Sequence, residues 1–471
     1  MLFRSIGFKE IDANQIDTLY VGLDSQGYIA MLKEVFNTDQ VHFLAKHHDM
    51  HAASTWAQCP YDEAIIFSYD GGGDEEFFCI YHAKNQQITK LATVKSDFGG
   101  CYELCGSWVS EVAQNSRHGL ALAGKLMGLC AYGEVDETNV EHFSEFMLNK
   151  DCEALANKTK YQLKNLKEPW KNILGNYCLS EKEAYDFAAT AQKGFEEAFL
   201  NIFNFFHSKY PNLPVCITGG GALNVLVNER LKTEIGVDVF VAPNPSDCGL
   251  SLGLLYLATN KKFPNVTYSG LPILDIDNLK NFVSERNARE ADLKEVASLI
   301  KDGLIIGIVQ GGSEVGPRAL GNRSIVCDPT RKDMKDVLNA KVKFREWFRP
   351  FAPFCKKEDA KKYFDSRNFD NLEFMSFAPL VKKEFREKLP SITHADGSAR
   401  LQVVTSTSHS GFYDLLTEFG KISEINVLLN TSFNIKGKPI LSKIEDALFV
   451  LDNTELDAVW VEGYLFEKER K

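Results

Sequence analysis

The chain has 471 residues, of which 44% are hydrophobic and 25% are charged, and its formal net charge is −11. This composition is that of a globular protein and excludes a disordered chain. The acidic balance argues against nucleic acid as the main partner, and the length predicts two or three domains.

The eleven cysteines are scattered along the chain and form no CxxC pair, which indicates reduced intracellular thiols. The opening residues MLFRSIGFKE place charges where a signal peptide has its apolar stretch. Apolar runs such as residues 304–309 have the length of a buried strand and are far too short for a membrane span. We therefore expect a cytoplasmic protein with no membrane partner.

Short apolar strands alternate with helices from about residue 40 to residue 262, which is typical of an α/β domain. The sequence predicts strands at 64–69, 77–81, 215–218 and 237–241, and helices at 184–208, from 222 onward and at 249–258. Residues 260–274 are rich in turn formers and predict a linker. A second α/β unit follows, with strands near 304–309, 323–327, 402–404, 425–429 and 457–461 and helices near 290–302, 333–342 and 443–452. The predicted domains are residues 1–262 and 276–471.

Two histidines four residues apart, His47 and His51, would face the same side of a helix, as a pair of metal ligands must. For a bare HxxxH pair, an exposed polar helix end is the commoner explanation. Two carboxylates favour a metal: Asp70 follows a predicted strand, where it would face the ligand crevice of the sheet, and Asp247 precedes a helix. Two imidazoles with two carboxylates suit Fe(II) or Mn(II), with Zn(II) as an alternative. A turn residue and a helix cap are the simpler roles for Asp70 and Asp247.

Glycine-rich turns follow two of the predicted strands, at residues 71–73 and 219–221. Such turns let backbone N–H groups approach the phosphates of a nucleotide, and two asparagines on one face of the next helix could bind its ribose or base. The candidate nucleotide-binding residues are Gly71, Gly72, Gly219, Gly220, Asn224 and Asn228. The segment GLALAGK at residues 119–125 has the spacing of a P-loop, but Leu126 stands where Ser or Thr must bind Mg²⁺, which argues against one.

The second predicted domain carries a dense set of basic residues beside glycine, proline and aromatic residues, in the segments GPRALGNRS, KFREWFRPFAP and DGSARLQVV. Arginine forks bind phosphate oxygens in pairs, so several together could hold two anionic reactants. Ordinary surface arginines are the alternative for any one of them. The set consists of Arg318, Arg323, Lys343, Arg345, Arg349 and Arg400, joined by Ser432 and Asn434 of the segment NTSFN. Within it, Arg323 and Arg345 are the candidates to bind the nucleotide.

Nine segments together resemble the NodU/CmcH-type O-carbamoyltransferase family, in the family's order and from about residue 40 to the C-terminus. They read KHHDMHAAS, FSYDGGGDE, GKLMGLCAYG, ITGGGALN, PSDCGLSLG, GPRALGNRSI, FREWFRPFAPF, DGSARLQVV and LLNTSFNIKGKPI. The resemblance implies an α/β protein with an actin/hexokinase-like N-terminal domain, similar to the transferase that modifies tRNA with threonylcarbamoyl groups, and a C-terminal YrdC-like domain.

The resemblance also implies a reaction. The YrdC-like domain of such enzymes makes carbamoyladenylate from carbamoyl phosphate and ATP, with Mg²⁺ accompanying ATP. The other domain passes the carbamoyl group to a hydroxyl of a small molecule such as a sugar, a nodulation factor or an antibiotic-like natural product. A homodimer is the expected oligomeric state.

By the same resemblance, His47, His51, Asp70 and Asp247 are expected to hold a divalent metal, foremost Fe(2+). Arg318, Lys343, Arg349, Arg400 and Ser432 are expected to line the adenylation pocket. The pairs Lys343-x-Arg345 and Ser432-x-Asn434 are similar to the KxR and SxN signatures of YrdC-like proteins.

One departure concerns the N-terminus. Family members open with a strand and an HDAS-like motif that supplies a histidine to the transfer site, whereas MLFRSIGFKEIDANQID resembles the sequence just after that motif. We therefore expect an N-terminal domain without its first strands or a diverged transfer site, and the general base stays unassigned. Three alternatives are open: a tRNA threonylcarbamoyl-type transferase, a catalytically impaired nucleotide-binding or scaffold protein, and an actin-like sugar kinase.

Overall fold

The computed structural model describes residues 18–22, 26–36, 38–72, 76–114, 121–148, 179–435 and 437–468. The N-terminal segment 1–17, on which the expected departure from the family depends, lies outside the described residues. So do Gly73 of the first glycine turn and the first two residues of the segment GLALAGK.

The described residues form seventeen strands and sixteen α-helices in a mixed α/β architecture, as the sequence predicts. The strands are β1 Leu19–Val21, β2 Val41–Phe43, β3 Glu63–Tyr69, β4 Phe78–Lys84, β5 Gln87–Val94, β6 Val215–Thr218, β7 Val239–Val241, β8 Arg289–Glu290, β9 Ile306–Val309, β10 Arg323–Cys327, β11 Ala352–Lys356, β12 Phe364–Asp365, β13 Leu380–Val381, β14 Gln402–Val404, β15 Val427–Ser432, β16 Ala458–Val461 and β17 Tyr464–Glu467. The helices are α1 Gln26–Phe36, α2 His47–Gln58, α3 Phe98–Ser107, α4 Ser110–Ala113, α5 Leu122–Leu129, α6 Glu137–Met147, α7 Glu181–His207, α8 Val225–Arg230, α9 Leu250–Thr259, α10 Leu279–Glu285, α11 Leu293–Lys301, α12 Met334–Val337, α13 Lys357–Tyr363, α14 Lys383–Arg386, α15 Ser410–Ile422 and α16 Ile444–Asn453.

A five-stranded sheet in the order β5-β4-β3-β6-β7 organises the first unit, which we define as the chain up to residue 262. Strand β3 pairs antiparallel with β4 and parallel with β6, which in turn pairs parallel with β7. The predicted hairpin of residues 64–69 and 77–81 is therefore confirmed. Strand β3 is buried from Ala64 onward, as expected for a central strand covered on both faces.

Alternate residues of β3 pack into two different apolar layers, because successive side chains of a strand point to opposite faces. Phe67 packs against the aromatic face of α7, with its ring centroid 5.9 Å from that of Phe199. Ile66 belongs to the opposite layer, together with Trp56 of α2 and Tyr256 of α9. The helix that carries the two histidines is thus fixed against the sheet by buried apolar residues.

Helices α2 and α9 approach each other closely within this second layer. A Cβ atom at Gly253 of α9 would lie 2.0 Å from the Met50 carbonyl oxygen of α2, so only glycine allows this contact. The predicted helices at 184–208 and 249–258 correspond to α7 and α9. The long helix α7 begins with a capping box formed by Ser180 and Glu183.

An eight-stranded sheet in the order β14-β11-β15-β10-β9-β16-β17-β8 organises the second unit, which starts at residue 276. Strand β10 pairs antiparallel with β15 and β9, and β16 pairs parallel with β9. All five predicted strands of this unit and its three predicted helices are present, while β11 and α15 are among the elements that were not predicted. One apolar cluster contains Phe67 of the first sheet and Leu429 of the second, so the two units pack directly together.

The predicted linker at 260–274 is hydrogen-bonded to the second unit. The Thr267 carbonyl oxygen accepts from the Val315 N–H at 2.8 Å, and the Leu271 carbonyl oxygen accepts from the Ser313 N–H at 2.8 Å. This pairing supports the loop that leads to Arg318. In the part of the chain that the structure describes, no helix is both long and apolar enough to cross a bilayer.

Candidate functional site

Four side chains converge near the carboxyl end of β3. His47 and His51 lie one turn apart on α2, Asp70 follows the last residue of β3, and Asp247 opens a short 3₁₀ helix that leads into α9. One donor atom from each lies within 4.8 Å of the others. We call this group the His–Asp cluster. The prediction that both imidazoles share a helix face is confirmed, and the helix end that carries them is largely buried.

The distances within the His–Asp cluster suit a single ion. The Nε2 atoms of His47 and His51 are 3.0 Å apart, and Asp70 Oδ2 lies 3.1 Å from His51 Nε2. Asp247 Oδ1 lies 3.5 Å from His47 Nε2 and 3.4 Å from His51 Nε2. Two donors that bind one ion at about 2.1 Å each stand about 3.0–3.4 Å apart. The residues present therefore fit a divalent cation.

The charge of the two carboxylates dominates this cluster. Burial alone would lower the pKa of His51, but Asp247 and Asp70 raise it above its ordinary value. Burial alone would raise the pKa of Asp70, but His47, His51 and the Gly220 N–H hold it well below its usual range. The His51 side chain is fully buried whereas that of Asp247 is 72% exposed, so the cluster opens to solvent beside Asp247. A substrate could approach an ion from that side.

The predicted phosphate-binding glycines hold Asp70 in place. The Gly71 N–H donates to Asp70 Oδ1 at 2.7 Å, and the Gly220 N–H donates to Oδ2 at 2.9 Å. A Cβ at position 220 would lie 2.7 Å from Asp70 Oδ1, and Gly219 has a φ of 85°. The Gly219 N–H donates to a carbonyl oxygen of the loop before α9. A phosphate-binding role for these glycines and for Gly72 stays a prediction.

The two predicted asparagines are also engaged by the protein. Asn224 Oδ1 accepts from the Val227 N–H and so caps α8, and its amide exchanges hydrogen bonds of 3.0 and 3.1 Å with Gln192. Asn228 Nδ2 donates to two backbone carbonyl oxygens, one of them that of Ser376 in the second unit at 2.9 Å. The structure thus gives both side chains a role in packing α8.

A cavity of about 250 Å³ lies between the two units. Its basic lining comes from the second unit and consists of Arg318, Arg345, Arg349 and Arg400, with Ser432 beside them. Its opposite wall comes from the first unit and consists of Gly124, Met127 and Gly128 of α5 and Val225 and Leu226 of α8. We call it the arginine cavity. A wider cleft of about 700 Å³ adjoins it and shares Leu226, Ala378, Asp396 and Ser398 with its wall.

Positive charge is in excess in the arginine cavity. Burial and Arg349 lower the pKa of Arg318 to about 10 and that of Arg345 to about 9. Burial and the three other arginines lower the pKa of Arg400 well below its ordinary value. Arg400 Nε is buried and has no hydrogen-bond acceptor among the described residues. One carboxylate, that of Asp396, also lines the cavity. Partly buried arginines in excess, with an unused donor on Arg400, are suited to bind an anion.

Lys343 lies behind the cavity and does not line it. Its ammonium group donates to the Ser432 carbonyl oxygen at 2.6 Å, to the Ser432 hydroxyl at 3.2 Å and to the Asn434 carbonyl oxygen at 2.8 Å. It also donates to Asn434 Oδ1. Burial, with the charges of Arg345 and Arg349, lowers the pKa of Lys343 well below its ordinary value. The two sequence signatures therefore face each other, and Ser432 connects Lys343 to the cavity.

Arg323 is not brought to the cavity. It is completely buried in β10, where Nη1 donates to the Gln310 and Asn322 carbonyl oxygens at 2.6 and 2.9 Å. Nη2 donates to the Gly311 carbonyl oxygen at 3.0 Å. The guanidinium group is used to hold the turn after β9, so the structure does not support the predicted contact with a nucleotide.

Sequence reasoning missed several residues of the two sites. His394, Asp396 and Ser398 line the arginine cavity beside Arg400, and the segment DGSAR that contains two of them could have indicated them. Glu314 Oε1 accepts from the backbone N–H groups that follow Arg318, including that of Leu320 at 2.7 Å. Nothing in the sequence pattern indicates this role.

The protein is thus an α/β protein with an arginine-lined cavity between two units and a cluster of metal-ligand type in the first unit. Residues 11–254 match the family profile Carbamoyltransferase N-terminus, and residues 297–468 match Carbamoyltransferase C-terminus. The chain belongs to the carbamoyltransferase family. The prediction of a NodU/CmcH-type O-carbamoyltransferase, and hence of an enzyme, is confirmed.

Relatives match over most of their length. The chain is 31% identical over 443 residues to nodulation protein NolO of Bradyrhizobium diazoefficiens, a match that covers 90% of this chain and 78% of the relative. It is 30% identical over 448 residues to nodulation protein U of Rhizobium tropici, covering 89% of this chain and 75% of the relative.

Among solved structures, a crystal structure of HypF from T. kodakarensis aligns with a TM-score of 0.29 and 16% identity. The alignment covers 52% of this chain and 40% of that chain, so the chain spans less than half of that protein's length. A likeness this weak supports no inference about fold or activity. The actin-like and YrdC-like assignments stay predictions.

Proposed function

We propose that the chain forms carbamoyladenylate from carbamoyl phosphate and ATP in the arginine cavity, and transfers the carbamoyl group to a hydroxyl of a small molecule at the His–Asp cluster. The observation that carries the first half is the excess of arginine in the cavity. Carbamoyl phosphate and ATP are both anionic and repel each other. Four guanidinium groups beside Ser432 offset that repulsion before the reactants meet.

The size of the arginine cavity favours a bound nucleotide that extends from this cavity into the adjoining cleft. A cavity of about 250 Å³ has room for phosphate groups and the carbamoyl donor but is small for a whole nucleotide ligand. The adjoining cleft of about 700 Å³ shares part of the same wall. We place the phosphates of ATP among the arginines and its nucleoside in the cleft. Water would first cleave carbamoyl phosphate to carbamate and inorganic phosphate. A carbamate oxygen would then attack the α-phosphorus, forming carbamoyladenylate and releasing pyrophosphate into the arginine-lined space.

The His–Asp cluster supports the second half of the proposal. His47, His51, Asp70 and Asp247 would hold a divalent metal, which as a Lewis acid can polarise the carbamoyl oxygen. The protein's own contribution is positional. Gly71 and Gly220 orient the Asp70 carboxylate, and the exposed side of Asp247 leaves access for an acceptor hydroxyl.

The experiment measures pyrophosphate release by the purified full chain with ATP and Mg²⁺, with and without carbamoyl phosphate. We expect release to depend on carbamoyl phosphate, and carbamoyladenylate to be found by mass spectrometry. A screen of sugars and other alcohols for carbamoylated products tests the second half. Release that does not require carbamoyl phosphate, or that requires threonine and bicarbonate instead, would contradict the proposal and favour a threonylcarbamoyl-type activity.

A further inference from the structure

A buried ion pair joins the first unit to residues 345–349 of the second, the loop that carries Arg345 and Arg349. Lys125 lies in α5 near Gly124 and Gly128. Both glycines line the arginine cavity. The Lys125 ammonium nitrogen is 2.8 Å from Glu346 Oε1, and the two side chains are 4% and 11% exposed. A pair so deeply buried is sensitive to the loss of either partner.

The Glu346 carboxylate contacts two cations, Lys125 of the first unit and Arg349 of the second. Its Oε2 atom is 3.6 Å from Arg349 Nη1, and Arg349 lines the arginine cavity. Burial alone would raise the pKa of Glu346, but Lys125 and Arg349 lower it, so the carboxylate stays charged at neutral pH. A charged carboxylate next to a cavity arginine competes with any anionic ligand for that guanidinium group.

Lys125 is the closer of the two cations and is held from the other side. Its ammonium group donates to the carbonyl oxygens of Val112 and Gln114 at 3.3 and 3.5 Å. These contacts fix Lys125 to the end of α4, away from the cavity. Glu346 is therefore held closer to Lys125, at 2.8 Å, than to Arg349, at 3.6 Å.

We infer that Lys125 is a positioning residue: by holding Glu346 closer to itself than to Arg349, it weakens the competition of that carboxylate with an anionic reactant for Arg349 in the arginine cavity. Lys125, the lysine of the GLALAGK segment, would thus not contact the phosphate. It would instead pair with Glu346, and Arg349 would bind the phosphate. The inference rests on the proposed function only in taking the natural anion to be a reactant phosphate. The availability of Arg349 to an anion then depends on contact between the two units.

The test measures binding of inorganic pyrophosphate to the full chain by isothermal titration calorimetry. In Lys125→Met the Glu346 carboxylate is released to pair more closely with Arg349, and we expect affinity to fall about 10-fold or more, the range for loss of a hydrogen bond to a charged group. In Lys125→Met/Glu346→Gln the competing charge is gone, and affinity should return to within about threefold of wild type. Lys182→Met, which removes an exposed lysine paired with Asp186, is the matched control and should bind as wild type does.

A purely structural role for Lys125 predicts the opposite for the double variant, which would bind as weakly as Lys125→Met or more weakly. That result, or unchanged affinity in Lys125→Met, overturns the inference, as does a wild-type chain that does not bind pyrophosphate. If Lys125→Met does not fold, the double variant decides alone, because it removes both charges of the buried pair. Pyrophosphate binding is read without turnover, so the inference can hold even if adenylate formation fails, and the reverse.

Discussion

The Nε2 atoms of His47 and His51 lie 3.0 Å apart across one turn of α2. Two charged imidazoles would repel each other at this distance, whereas two neutral rings can donate lone pairs to one ion. The carboxylates of Asp70 and Asp247 complete a set of donors with net negative charge.

Replacing His51 with Ala should remove most of the bound divalent metal. A lost ligand weakens a site more than the 10–100-fold typical of changes in its supporting contacts. Elemental analysis of the purified variant measures the loss. His42→Ala is the matched control, since His42 is exposed and its side chain is hydrogen-bonded to that of Gln40. Equal metal content in the two variants would contradict the assignment.

Replacing Lys343 with Ala should impair adenylate formation without impairing metal binding. The change leaves Ser432 and Asn434 without their shared donor and removes a buried cation behind the cavity. We expect carbamoyl-phosphate-dependent pyrophosphate release to fall on the order of 10²-fold. His51→Ala should keep most of this release and lose transfer to the acceptor. Lys341→Ala, two residues away and exposed, is the control. Equal loss of release in Lys343→Ala and His51→Ala would show that the two steps are not separate.

The stability of the protein should depend on pH through Glu229 of α8. Burial raises the pKa of Glu229 from 4.5 to about 7, against opposing effects of Lys232 and the Ala378 backbone. The folded state therefore holds this proton more tightly than the unfolded state, and the resulting stability is present below pH 4.5 and lost as the pH rises to 7.

Glu229→Gln keeps the shape of the protonated acid and has no charge to bury. We expect it to stabilise the protein at pH 8 by at most about 3 kcal/mol and to have little effect at pH 4.5. Urea unfolding at the two pH values measures the difference. The exposed Glu424→Gln should show no such pH dependence. Destabilisation by Glu229→Gln at pH 8 would disprove the raised pKa.

Replacing Arg323 with Met should destabilise the fold. The Gln310, Gly311 and Asn322 carbonyl oxygens would lose their donor inside the protein, at a cost on the order of 3 kcal/mol or more. Denaturant unfolding measures this loss. Arg289→Met, which removes surface pairs with Glu295 and Glu467, should cost about 1 kcal/mol or less. An Arg323→Met protein of wild-type stability but without nucleotide binding would instead restore the role expected from the sequence.

The elements that the sequence predicts well have strong local patterns. Strand β3 contains the apolar run 64–67 and β6 the apolar run 215–217, and α7 has both a capping box and a long apolar face. Strand β11 was not predicted because Pro353 stands within it, and proline is rare inside a central strand. In the sheet, β11 nevertheless lies between β14 and β15.

The composition of the two sites was predictable to different degrees. Strand ends and helix spacing bring the four residues of the His–Asp cluster together, and both are readable from the sequence. The sequence could not show which of the basic residues line the cavity. Lys343 and Arg345 are two residues apart in the chain, but of these two only Arg345 lines it. Between them Phe344 has a φ of 49°, a conformation that bulky residues rarely adopt and that no sequence pattern indicates.

The close contact at Gly253 has a consequence for how the first site can vary. His47 and His51 belong to α2, and Asp247 belongs to the turn that opens α9, so the distance between these two helices sets the width of the donor set. A side chain at position 253 would meet the Met50 carbonyl oxygen and push the helices apart. The size of any ion that the His–Asp cluster could hold would therefore be limited by a residue outside the cluster.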